Sequence, residues 1–229
     1  MALQRSDAGS APVPVRDAAT LILVRDADRN PSVLMGQRGK TAAFMPDKYV
    51  FPGGAVDAAD AVVEFPELLS EPCRGRLAAR NTGASPDALA AAAIRELWEE
   101  TGLRLGRPGA WKAPEAWRGF SEDGLAPDAS ALRFFFRAVT PPGRPRRFDA
   151  RFFLADASTL ADDPDDFSGA EDELSHLHWV PLDEVRALNL PFITRIVLGE
   201  LQAHLPSLGA PKGVPFVTND VVDNAVIWL

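Results

Sequence analysis

The sequence predicts an α/β sandwich, in which a mixed β-sheet draws strands from both sides of an embedded helix. Three observations carry this prediction. Alternating or aromatic apolar segments occur both before and after residue 100. Between them lies one segment with strong signals for a helix start and stop. Finally, 229 residues with 46% hydrophobic and 24% charged side chains suit one well-buried domain with insertions, and the 20 prolines imply long, stiffened connections.

Residues 1–16 contain Gly, Ser and Pro with few large apolar groups and are expected to form a flexible leader, leaving 17–229 as a single domain. The first strand is expected near Asp17. "AATLILVR" ends at Arg25, a charged turn with Asn and Pro follows, and "SVLMGQR" completes a hairpin. "KYVFPGG" reads as a short strand stopped by Pro52 and two glycines. Ser85-Pro86 supplies an N-cap with Pro at the first helical position, and Gly102 supplies the stop, so the spacing predicts a helix from Pro86 to Thr101. Beyond it, "LRFFFRAVT", "FDARFFLAD" and "LSHLHWVPL" have strand character. "LDEVRALNL" and "PFITRIVLGELQAHL" are expected to be helices, and "AVIWL" a short terminal strand.

Within the central helix, Glu96, Glu99 and Glu100 fall within about a third of the circumference, opposite Ile94, Leu97 and Trp98. One face suits a core and the other suits cations. Like charges at these spacings cost an isolated helix roughly 0.2–0.5 kcal/mol per pair, which a solvated face tolerates and a divalent cation turns into attraction. Helix geometry alone is compatible with either.

The 24 Lys and Arg against 32 Asp and Glu leave a net charge of −8 and an isoelectric point near 4.9. That balance argues against broad capture of nucleic acid or an anionic membrane, so an anionic substrate would need local positive charge. No long apolar run or signal-like N-terminus is present, and a single cysteine, Cys73, excludes an intrachain disulfide. These features favour a cytoplasmic protein. Cys73 has no activating base near it in sequence. His176 and His178 alternate along a strand segment and, like His204, lack metal-ligand spacing.

Arg95-Glu96-Leu97-x-Glu99-Glu100-x-Gly102-Leu103 matches every fixed position in the second half of the Nudix box, and Gly54 with Asp60 corresponds to its first half, Asp standing for the usual Glu. Thirty-four residues separate Asp60 from Arg95, where an uninterrupted box has about seven. The chain thus resembles the coenzyme A diphosphatase branch of the Nudix hydrolases, in which the box is interrupted by a long insert. "FMPDKYVFPGGAVDAAD", "RAVTPPGRPRRFDARFFLA" and "HWVPLDEV" carry the same resemblance, in order, from about Asp17 to Leu201. A coenzyme A motif laid over Leu34 to Gly54 matches at Leu34, Arg38 and Phe51-Pro52-Gly53-Gly54, and departs at Met35, Gly36, Gly39, Ala43 and Asp47.

The resemblance implies a Nudix fold, a mixed sheet in an α/β/α sandwich, with the catalytic helix following an insertion at about 61–84. The Pro, Gly and Arg content of that insertion suggests a surface excursion. It further implies hydrolysis of a nucleoside diphosphate derivative with Mg²⁺ or Mn²⁺ held by Glu96, Glu99 and Glu100. The expected substrate is coenzyme A or acyl-CoA, cut to 3′,5′-ADP and (acyl-)phosphopantetheine. ADP-ribose, NADH or a related compound is the alternative, and a catalytically silent ligand sensor the other. Glu99 and Glu173 are the general-base candidates. Arg95, set off the glutamate arc, would pair with a carboxylate of the Gly54–Asp60 loop, giving Asp60 and Gly102 supporting roles. Gly53 and Gly54 permit close backbone approach, and Arg38, Lys40, Arg146 and Arg147 are candidates for the local positive charge that the substrate needs, each being equally compatible with a solvated surface charge. Phe148, Phe152 and Phe153 serve as core or pocket wall. No nucleic-acid or membrane partner is expected, and both a monomer and a homodimer are compatible.

Overall fold

The computed structural model describes residues 13–42, 44–219 and 225–229. Most of the expected leader, residues 1–12, lies outside them. β1 (Val15–Arg25) is the spine of a nine-stranded mixed sheet. It runs parallel to β8 (Arg147–Asp156) along most of its length, from Val15↔Arg147 to Val24↔Asp156. Val15 and Arg16, assigned by sequence to the leader, are therefore strand residues: β8 is long enough to offer them partners. On its other side β1 pairs antiparallel with β2 (Ser32–Arg38) and with β4 (Gly53–Ala55). β3 (Tyr49–Val50) and β9 (Leu174–Pro181) pair with β2. β7 (Arg133–Val139), β10 (Pro215–Val217) and β11 (Val226–Trp228) complete the sheet beyond β8. β5 (Gly106–Pro108) and β6 (Leu125–Pro127) form a separate small hairpin that the sequence pattern did not disclose.

The alternation along the strands divides two cores, as strand geometry requires. Leu21, Leu23, Phe153 and Ala155 face the layer of α2 (Pro86–Thr101), whereas Ile22, Val24, Phe152 and Leu154 face α3 (Phe192–His204). Phe152 and Phe153 are thus core residues on opposite faces. The segment 182–190, expected to be a helix, has only a single tight turn at Val185–Ala187. Its apolar residues Leu182, Val185 and Leu190 pack into the α3 core from an irregular chain, so their spacing imitates a helix. Among the described residues no helix is long and apolar enough to cross a membrane.

The insertion is not a surface excursion. It contains α1 (Glu71–Ala78), and Val63, Phe65, Leu69, Cys73 and Leu77 are buried in the same core as α2. Its abundant Pro, Gly and Arg obscured these widely spaced apolar anchors. Cys73 is a buried free thiol whose Sγ accepts from the Phe134 amide at 3.3 Å, consistent with packing rather than reaction.

Candidate active site

α2 begins at Ser85, whose Oγ accepts from the Ala88 amide at 3.1 Å. The run Ala90–Ala93 is fully buried, and these small side chains let the helix lie close against β1. At its other end Gly102 adopts a left-handed conformation, φ 78°, and its N–H donates to Trp98 O. The Glu171 amide donates to Glu99 O at 2.9 Å, so the loop before β9 satisfies a terminal carbonyl of α2.

The glutamates meet β4 at its two glycines. Gly53 N–H donates to Glu100 Oε2 at 2.7 Å. A Cβ on Gly53 would lie 2.6 Å from Ala19 O, and one on Gly54 would collide with the Glu96 carboxylate. Gly53 is required by its close approach to the β1 backbone, whereas a side chain at Gly54 would displace the Glu96 carboxylate. Arg95 joins the parts: Nε and Nη2 donate to the two Asp60 oxygens at 2.9 and 3.0 Å, and Nη2 also to Ala55 O at 3.0 Å. Asp60 is itself held by the Asp57 amide at 2.7 Å. The sequence reading placed Arg95 off the glutamate arc. Instead its Nη1 donates to Glu96 Oε1 at 2.9 Å and Glu99 Oε2 at 2.8 Å, because the long side chain spans from the loop to the acidic face.

Arg38, at the end of β2, donates to Glu173 Oε1 at 2.9 Å and to Gly53 O at 3.5 Å, and lies 3.9 Å from Glu100 Oε1. The structure therefore brings Arg38, Gly53, Glu100 and Glu173 together. Lys40 is exposed, as is Arg146 in the turn between β7 and β8, and Arg147 donates from Nε to Thr140 O at 3.0 Å. Arg147 pairs with Val15 while Gly54 pairs with Ala19, so the arginine pair sits about four strand residues, roughly 13 Å, along the sheet from the glycines. Half-buried Phe148 meets Phe44 edge-to-face, 5.2 Å between ring centroids. His176 and His178 are exposed on β9.

Burial pushes the Glu96 carboxyl up to about 7, with Arg95 opposing and Glu99 and Glu173 reinforcing the shift. Burial pushes Glu100 up to about 8 against the Gly53 hydrogen bond, and raises Glu99, which Glu171 also repels. For Arg95, burial disfavours the charge, but Asp60, Glu96 and Glu99 outweigh it and raise the guanidinium's pKa. The influence of Glu171 was not anticipated, although it belongs to the same acidic "GAEDELSH" segment as Glu173.

Because the folded-state carboxyls of Glu96 and Glu100 titrate above their ordinary 4.5, the unfolded chain loses these protons first as pH rises. Their contribution to stability is present at low pH and is lost as pH rises towards 7–8. Thermal unfolding in chelator should therefore show Tm falling from about pH 5.5 to 8.5, with a shallower slope in Glu100→Gln. Parallel slopes for the two proteins would contradict the assignment.

Among the described residues no group of three or more His, Cys, Asp or Glu is arranged as a formed metal centre. The residues nonetheless fit a hard cation. Their donors are all carboxylate oxygens, and Glu100 Oε1 is buried without a hydrogen-bond partner. Burial is the main cause that raises Glu96 and Glu100, and the smaller repulsion among Glu96, Glu99, Glu100 and Glu173 is the part that a divalent cation would offset.

A family model described as NUDIX domain matches residues 83–198. The chain is 30% identical over 188 residues to putative nudix hydrolase 7 of Caenorhabditis elegans, covering 72% of this chain and 51% of that protein. It is 32% identical over 205 residues to acyl-coenzyme A diphosphatase NUDT19 of Gallus gallus, covering 61% and 54%. The chain thus spans about half the length of these curated relatives. A crystal structure of a NUDIX hydrolase from Alicyclobacillus acidocaldarius superposes with a TM-score of 0.63 at 32% identity, covering 83% of this chain and 92% of that one.

Proposed function

This chain belongs to the Nudix hydrolase family, and from that membership we propose that it hydrolyses the diphosphate bond of coenzyme A or an acyl-coenzyme A, using Mg²⁺ or Mn²⁺. Water adds across the P–O–P linkage, giving 3′,5′-ADP and (acyl-)phosphopantetheine. The observation that carries the reading is the convergence of Glu96, Glu99 and Glu100 on Gly53, Gly54 and the Arg95–Asp60 pair. The similarity to an acyl-coenzyme A diphosphatase supports the choice of substrate branch.

Glu96, Glu99 and Glu100 would hold the cation. Bound there, the ion neutralises diphosphate charge and makes the attacking water easier to deprotonate. Arg95 keeps the helix glutamates in register with the Asp60 loop. Arg38 could leave Glu173 for a phosphate oxygen of the substrate, exchanging one anion for another. That exchange frees the exposed Glu173 carboxylate to accept the proton of water, with Glu99 as the alternative acceptor. Arg146 and Arg147 lie too far along the sheet for the diphosphate and suit the 3′-phosphate instead. The lone, buried Cys73 agrees with a reducing, cytoplasmic setting.

The test is hydrolysis of coenzyme A, dephospho-coenzyme A, ADP-ribose and NADH with products resolved. Coenzyme A should be preferred over its dephospho form by roughly ten- to a hundredfold in kcat/KM, the worth of one charge-assisted contact. Arg146→Ala/Arg147→Ala should erase most of that preference. Equal or better turnover of ADP-ribose would transfer the assignment to that substrate, and binding without cleavage would indicate a sensor.

A further inference from the structure

The insertion leaves the chain just after Asp60 and returns at Ala84, immediately before the cap of α2. Its returning end is gripped from the sheet. Arg151 on β8 is 1% exposed, and its guanidinium donates to Asp17 Oδ1 on β1, to Asp149 O, and to Asn81 Oδ1 of the insertion at 2.8 Å. Asn81 in turn donates to Ala84 O at 2.6 Å, and Asp17 Oδ2 accepts from the Ala84 amide at 2.7 Å. Arg137 pairs with Asp149 at 2.7 Å and donates to Arg80 O at 3.3 Å. At Gly83 the chain passes so near Asp17 that a Cβ would overlap its carboxylate.

These bonds surround the start of α2, whereas the glutamates lie at its other end. A 16-residue helix is a rigid rod of about 24 Å, and a small displacement at its base moves its far end. The far end has little tolerance. Asp60 is buried against Arg95, a side chain at Gly53 would run into the β1 backbone at Ala19 and Thr20, and one at Gly54 would meet the Glu96 carboxylate. We propose that Arg151 is a positioning residue: by tying Asn81 of the insertion to Asp17, it fixes where α2 begins and thereby the register of Arg95 and the three glutamates with the Asp60 loop and β4. The insertion is then a tether that is anchored at both ends of the glutamate helix, through Asp60 at one and Asn81–Ala84 at the other. The relevance of this register to catalysis rests on the diphosphatase reading, but the register itself does not.

The experiment uses the full chain without metal and follows hydrogen exchange of the Arg95 Nε–H by ¹⁵N NMR, below the unfolding transition of every variant. Arg151→Met and Asn81→Ala should speed this exchange at least about tenfold, and Arg151→Lys should recover part of the protection. Val197→Ala, buried in the α3 core on the opposite face, serves as a control for general loss of stability. It should leave the Arg95 signal unchanged. Should Arg151→Met fail to fold, the uncharged Asn81→Ala change decides alone. Unchanged Arg95 exchange in the folded variants, or equal acceleration by Val197→Ala, overturns the proposal. Mn²⁺ titration of the parent chain separates the two readings: no binding there would remove the metal-dependent function, while the metal-free exchange result would still decide the positioning role.

Discussion

Glu100→Gln is expected to lower turnover of the preferred diphosphate substrate by about a hundred- to a thousandfold, corresponding to about 3–4 kcal/mol of transition-state stabilisation. The change is nearly isosteric. A glutamine oxygen can still accept from Gly53 N–H, so the join between α2 and β4 survives. What is lost is the negative charge on a carboxylate whose second oxygen is buried with no hydrogen-bond partner, the atom best suited to a cation. Loss of that charge should also relieve repulsion from Glu96 and Glu173, leaving the metal-free chain at pH 8 at least as stable as the parent. Steady-state hydrolysis in excess Mg²⁺ and Mn²⁺, paired with thermal unfolding, measures both. Activity within a few-fold of the parent would remove Glu100 from the metal set.

Arg95→Met should act first on stability, costing about 3–5 kcal/mol, because it strands the buried Asp60 carboxylate. Its remaining partner, the Asp57 amide, cannot replace two guanidinium contacts. Pairing the change with Asp60→Ala should recover a large part of the loss, since the buried charge is then absent. Activity should recover in neither variant: the bonds from Nη1 to Glu96 and Glu99 are missing in both. Urea unfolding of the two single variants and the double variant gives the coupling energy. A purely additive cycle would show that Asp60 and Arg95 do not depend on one another.

The glutamate helix was legible because its signals are local: Ser85-Pro86 starts it, Gly102 ends it, and the charges repeat at helical spacing. The chief strands were legible because apolar and aromatic residues crowd them. The 182–190 turn was misread because burial from an irregular chain can reproduce helical periodicity. The insertion was misread for the converse reason. Leu69, Cys73 and Leu77 fill the core at spacings that polar and conformationally special neighbours disguise. At the site, residue types pointed to the chemistry, but tertiary distances were required to separate Arg38, beside the glutamates, from Arg146 and Arg147 farther along the sheet. No sequence pattern discloses that Arg95 bridges the Asp60 loop and the acidic face together, because that depends on where the insertion returns the chain.

The pairing of β1 with β8 joins Val24 to Asp156 across most of the chain. During synthesis at about 5–20 residues per second, the apolar run Leu21–Val24 would wait roughly seven seconds or longer for that partner to be made. Its antiparallel contacts with β2 and β4 form from nearby sequence, but they leave one edge of β1 unpaired. An apolar strand with an open edge invites pairing with other chains. The parallel neighbour is thus also the last of β1's partners to arrive, and the β1 edge stays open until β8 emerges.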